Sequence, residues 1–201
     1  MHTVIIGRSS SHFTRVVRIF AAELNIDYTY EIVRDLSSAD PSIYAGNPAL
    51  KIPVLRNDRG TWFGAQAICR ELQRQSQGNL QILWPEQLDD NLTSNAQELV
   101  LHAMGTGVNL IMSKMGGGAA HPKLDISLDN SLRWLESNVT SVVDKLPARD
   151  LSFFEVTLFC LLTHLEFREI RKLDDYASLK KFCAVFGQRP AALATPFRYD
   201  T

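Results

Sequence analysis

Three consecutive serines, Ser9, Ser10 and Ser11, stand just ahead of a run with helical spacing: Phe13, Val16, Val17, Phe20, Ala21 and Leu24. A hydroxyl at a helix N-terminus has two uses. It caps backbone N–H groups that have no partner within the helix. It also stands where the helix dipole favours negative charge, so a thiol placed beside it ionises more easily. One unit of pKa lowering corresponds to about 1.4 kcal/mol. A donated hydroxyl hydrogen bond acting with the dipole can supply that much. Ser11 sits at the helix entry, with Ser9 and Ser10 close enough for the register to slip. Read alone, Ser11 is first of all a cap. His12 follows directly, which leaves a Ser–His dyad open but without a third residue to orient it.

Other residues with chemical potential read more plainly. Gly116-Gly117-Gly118 is no phosphate loop, because no Gly-Lys-Ser/Thr follows and no strand precedes it. It reads as a helix end followed by a mobile flap, running on through Ala119 and Ala120. His102, His121 and His164 are scattered without metal-ligand spacing, so no metal is expected. Cys69, Cys160 and Cys183 are odd in number, widely spaced and free of any C-x-x-C, which suits packing residues in a reducing compartment. Met104, Met112 and Met115 lie on one long helical pattern, where an apolar pocket and an ordinary core role both stay open.

The elements that position these residues follow from periodicity. The chain has 201 residues, 45% of them hydrophobic and 21% charged, so it can bury a proper core. Its net charge is −1 and no Lys/Arg-rich run occurs, which argues against a general phosphate-attracting field and so against nucleic acid. No stretch approaches the roughly 18 apolar residues of a membrane span, and the N-terminus lacks a secretory pattern.

Thr3–Ile6 reads as a buried strand, 13–24 as a helix and Tyr28–Val33 as a second strand. Leu36–Pro48 reads as irregular with one helical turn. Pro53–Arg56 and Thr61–Phe63 flank an Asn57-Asp58-Arg59-Gly60 turn, and a third helical segment passes through Ile68 and Leu72. From about residue 86 onward every segment reads helical. Ser152-x-x-Glu155 opens an apolar helix as a capping box, and Arg189-Pro190 stops the last one. The expected organisation is α/β plus all-α: a βαβ-ββα domain over 1–77, a linker over 78–87 and a C-terminal helical bundle over 88–201.

Three segments resemble the cytosolic glutathione S-transferase superfamily, in its bacterial serine-type form. Ser11-His12-Phe13-Thr14-Arg15-Val16-Val17-Arg18 resembles the Ser/Cys entry to the family's first helix. Asn47-Pro48-Ala49-Leu50-Lys51-Ile52-Pro53-Val54-Leu55 resembles its Asn-Pro-x-x-x-Val/Ile-Pro-x-Leu run. Ser152-x-x-Glu155 resembles the cap of its buried C-terminal helix.

The resemblance implies a thioredoxin-like N-terminal domain, a cis Ile52-Pro53 peptide and glutathione as co-substrate. It makes Ser11 the catalytic hydroxyl that stabilises the thiolate. It places Phe13, Lys51, Ile52, Pro53, Ala65 and Gln66 around glutathione. A small hydrophobic electrophile would lie near Met104, Val108 and Met112. It further implies a cytoplasmic homodimer engaged in detoxification, paired through Phe63–Gln73 and the helix around Asn95–Ala103. One departure stands out. Where most members carry Glu/Asp-Ser, this chain has Gly64-Ala65, so no acidic side chain meets the γ-glutamyl ammonium. A non-catalytic binding or scaffold protein of the same fold is therefore the alternative. A thiol oxidoreductase fits less well, with serine rather than cysteine at position 11.

Overall fold

The computed structural model describes residues 2–118 and 121–200. Contacts divide the chain into two units, Met1–Leu80 with Arg189–Thr201, and Gln81–Gln188. The expected bundle over 88–201 thus loses its last segment to the first unit. Arg189-Pro190 does stand past a helix end, but Pro190 also opens a new short helix, as its fixed φ allows at a first helical position. The side chains that fasten this segment to the first unit lie more than 160 residues away in sequence.

The first unit is built on a four-stranded sheet. Its elements are β1 (Val4–Gly7), α1 (His12–Glu23), β2 (Thr29–Ile32), β3 (Val54–Asn57), β4 (Gly60–Phe63) and α2 (Ala65–Gln75). The strand order is β2-β1-β3-β4. β1 and β2 are parallel, joined by α1, while β3 runs antiparallel to both β1 and β4. β1 is buried along its whole length, as a short continuous apolar run at a sheet centre should be. β2 lies at the sheet edge and is largely exposed.

Val4, Ile6 and Val54 pack on one face with Val33 and Tyr44. Ile5 and Leu55 alternate to the other face, where α2 packs on β3 and β4 and α1 packs on α2. Pro41–Tyr44 forms a single 3-10 turn within the irregular stretch. This is a thioredoxin-like arrangement.

The second unit contains β5 (Ile82–Leu83), α3 (Asn91–Met115), α4 (Pro122–Lys145), β6 (Leu151–Ser152), α5 (Phe153–Phe167) and α6 (Ala177–Phe186). The stretch 78–87, expected as a linker, contains a strand. Ile82 and Leu83 pair in parallel with Leu151 and Ser152, a partnership no local pattern reveals. α5 is buried nearly all round.

Its cap differs in detail from the expected box. Ser152 Oγ accepts the Glu155 N–H at 3.0 Å. The Glu155 carboxylate takes the Ser152 hydroxyl at 2.7 Å and Arg149 at 2.6 and 2.9 Å. α6 is capped from another helix: Glu136 on α4 accepts the Ser178 and Leu179 N–H groups at 2.8 and 3.0 Å. Burial pushes the Glu136 carboxyl up, and those bonds bring it below its ordinary value. α7 (Pro190–Ala194) belongs to the first unit and packs on α1. No helix among the described residues is long and apolar enough to cross a membrane.

Candidate active site

Sheet register gathers three backbone features at one end of the first unit. Ile6 pairs with Val54, and Val54 with Phe63. The loop after β1, the residue before β3 and the residue after β4 therefore share that end.

The first feature is the start of α1. The Ser11 N–H closes a turn on the Arg8 carbonyl at 3.1 Å. Ser11 is the N-cap, with φ −97° and ψ 126°. Its Oγ accepts the Thr14 N–H at 3.3 Å, a long bond that leaves the hydroxyl proton free to be given elsewhere. Ser11 is half-buried, whereas Ser9 and Ser10 are 1% and 8% exposed. His12 is buried with its ring 4.5 Å from that of Phe13, which is half-buried. α1 sits close on β1: a Cβ on Gly7 would lie 2.5 Å from Thr14 Oγ1, so only glycine fits there.

The second feature is the segment leading to β3. The Ile52-Pro53 peptide is cis. Pro53 is buried, Ile52 half-buried and Lys51 exposed. Asn47, 3% exposed, shapes the approach. Its Nδ2 donates to the Lys51 carbonyl at 2.7 Å and its Oδ1 accepts the Ala49 N–H at 3.0 Å.

The third feature is the start of α2. Gly64, at φ +82° and ψ 139°, precedes the helix without any side-chain cap. That backbone conformation favours glycine over any L-residue. Ala65 is buried and Gln66 half-buried. α2 is fastened further along by Glu71, whose side chain is wholly buried. Glu71 accepts from Asn57, Arg74 and Gln75 at 2.9, 3.0 and 3.2 Å. Burial pushes its carboxyl up, and these bonds with the nearby Arg59 more than offset that, leaving it below its ordinary value.

Such an end of a sheet, with two helix N-termini and an extended edge between them, suits an anionic peptide-like ligand. Residues 10–75 match the family model of the glutathione S-transferase N-terminal domain. The whole chain resembles solved structures of that kind. A glutathione transferase family member from Pseudomonas fluorescens Pf-5, with bound glutathione, is 21% identical with TM-score 0.78, over 98% of this chain and 99% of that one. A glutathione S-transferase from Methylobacillus flagellatus, with GSH bound, is 21% identical with TM-score 0.76, over 96% and 98%. Residues 10–75 thus carry a glutathione S-transferase N-terminal domain, and the whole chain takes the fold of these structures. A glutathione S-transferase from Methylobacterium radiotolerans, in complex with glutathione sulfonate, aligns over 100% of this chain and 98% of that one, at 17% identity and TM-score 0.69. No curated protein matches the chain.

Against the residues expected for a glutathione S-transferase site, the first unit brings Ser11, Phe13, Ile52, Pro53, Ala65 and Gln66 to the neighbourhood of one sheet end, with Lys51 on its exposed rim. The residues expected for an electrophile pocket, all on α3, divide. Met104 is fully buried, which fits the core role that its sequence position also left open. Val108 is half-buried and Met112 is 42% exposed. The helical face could not be fixed from methionine content alone, because methionine serves cores and pockets alike. α3 ends at Met115 and Gly117 takes φ +70°, so the glycines do end the helix, while Ala119 and Ala120 lie outside the described residues.

Sequence reasoning named Asn47 only as part of a motif. Its side chain is what ties the 47–51 turn together, and an Asn-Pro pair before a turn is the signal that could have shown it. Nothing local points to Asp200, whose carboxylate accepts the Ser9 N–H at 2.7 Å.

Proposed function

We propose that this protein is a glutathione S-transferase that conjugates glutathione to a small hydrophobic electrophile. The observation that carries the reading is the half-buried Ser11 hydroxyl at the N-cap of α1, which still has a proton to give. Glutathione would add its cysteinyl backbone as a strand beside Ile52. Its γ-glutamyl carboxylate would take the open N–H groups at the start of α2. The thiol would lie by Ser11, whose O–H donates to the thiolate as the thiol proton leaves to solvent. The sulfur then attacks the electrophilic carbon and the leaving group departs with its electron pair. The protein's contribution is a larger thiolate fraction and two reactants held together.

Val108 and Met112 remain the candidates for contact with the electrophile. A homodimer through Phe63–Gln73 and Asn95–Ala103, a cytoplasmic location and a role in detoxification belong to the same reading.

The Gly64-Ala65 pair favours a second reading, a scaffold that keeps the fold without the reaction. Neither residue offers a carboxylate or hydroxyl, and an unmatched charge in a closed site costs several kcal/mol. Retention on immobilised glutathione with elution by free glutathione, and turnover of a generic aryl halide, support the transferase. Absence of both supports the scaffold.

A further inference from the structure

We propose that Asp200 is a positioning residue for Ser11, acting through the backbone of Ser9; the proposal rests on the transferase reading above. The Asp200 side chain is only 2% exposed, although its neighbour Arg198 is 64% exposed and Tyr199 is 63% exposed. A carboxylate is driven inward at an otherwise exposed segment only if it finds a strong donor there. That donor is the Ser9 N–H, at 2.7 Å from Oδ2, a short charge-assisted bond to a residue that is itself 1% exposed, while the exposed Arg198 guanidinium stands farther off, 3.8 Å from Oδ1.

Ser9 lies inside the turn that Ser11 closes on the Arg8 carbonyl at 3.1 Å. Fixing the Ser9 amide therefore fixes the plane of that turn and the entry of Ser11 into α1. Ser9 Oγ and Tyr30 OH stand near one another without the geometry of a full hydrogen bond, so the side chain of Ser9 does not secure the loop by itself.

The rest of the segment is built to bring Asp200 there. Arg189 grips Glu23 at the far end of α1 at 2.7 and 3.0 Å. Arg15, one turn into α1, donates to the Ala192 carbonyl at 3.2 Å and lies 4.4 Å from the Phe197 ring centroid. The chain thus runs back along α1 from its C-terminal end to its N-terminal end. Its last anchor falls beside the loop that carries the catalytic hydroxyl. A strap serving stability alone could stop at Phe197, whereas this one continues to a buried charge on the turn before Ser11.

The test uses the full chain with glutathione and a generic aryl halide. Asp200→Ala should lower kcat about ten-fold, the scale expected when a reacting group is slightly misplaced, with KM for glutathione nearly unchanged. It should also raise the pKa of the bound thiol, in the same direction as Ser11→Ala. Asp200→Ser, too short to reach the amide, should behave alike and stands in if the alanine variant does not fold. Asp200→Asn keeps an oxygen acceptor and should restore most of kcat.

In the Ser11→Ala background Asp200→Ala should cost nothing more, because its effect passes through Ser11. Hydrogen exchange at the Ser9 amide should speed up in Asp200→Ala. Wild-type kcat and thiol pKa in Asp200→Ala, or an equal further loss in the double variant, overturns the positioning role while leaving the transferase reading intact. A wild-type protein that neither binds nor turns over glutathione overturns both.

Discussion

Two helices begin at the same end of the sheet, and they begin differently. α1 opens on Ser11, whose hydroxyl takes the Thr14 N–H. α2 opens on Gly64, which offers no side chain at all. Both starts leave backbone N–H groups without a partner inside the helix, and both carry the positive end of a helix dipole. The capped start keeps a hydroxyl proton and so can serve a single charged atom such as a thiolate. The uncapped start presents bare N–H groups and so suits a carboxylate, which has lone pairs for several of them. One fold element, repeated, is thereby specialised by one residue.

The helices are also fastened differently. α1 lies against β1 through the absence of a side chain at Gly7. α2 is tied by the buried Glu71 to Asn57 at the end of β3.

The strongest way to break the comparison is to remove the hydroxyl from the first start. Ser11→Ala forfeits one charge-assisted bond, worth about 1.5–3 kcal/mol. kcat should fall on the order of ten- to a hundred-fold, and the pH–rate profile should move to higher pH as the bound thiol's pKa rises. Glutathione affinity should change much less. Ser9→Ala and Ser10→Ala serve as register controls, and a larger loss in either would move the proposed catalytic role away from position 11.

Next comes the seat of α1. Gly7→Ala puts a Cβ 2.5 Å from Thr14 Oγ1 and 2.7 Å from Thr14 Cγ2. Thr14 is fully buried and has little room to move, so destabilisation of about 1–3 kcal/mol is expected from urea unfolding. Turnover of the folded fraction should fall as well, since Thr14 donates to Ser11. A stable variant with unchanged kcat would show that the close approach does not set the hydroxyl.

The smallest effect sharpens the comparison from the other side. Ala65→Ser restores a hydroxyl at the first residue of α2. Affinity for glutathione by calorimetry should rise roughly five-fold, or about 1 kcal/mol, with kcat little altered. No change in affinity would mean that the γ-glutamyl group is held elsewhere.

Much of this site was legible along the chain. The helical spacing from Phe13, the turn at Asn57–Gly60 and the Ser152 cap are local patterns, set by interactions a few residues apart, and each element formed near its expected place. The same holds for the absence of acid and hydroxyl at Gly64-Ala65. Which methionine faces outward was not legible, because Met104 and Met112 share one helix and only packing separates them.

Sequence by itself determined the order of the elements, the hydroxyl at the start of α1 and the bare start of α2, since backbone propensity and side-chain chemistry act locally. Only the tertiary structure decided that 82–83 pair with 151–152, that Glu136 caps α6 and that Asp200 reaches Ser9. Those partners lie tens to nearly two hundred residues apart. They meet because burying apolar surface brings distant segments together, and buried N–H groups and carboxylates must then find whatever partner the fold has placed beside them.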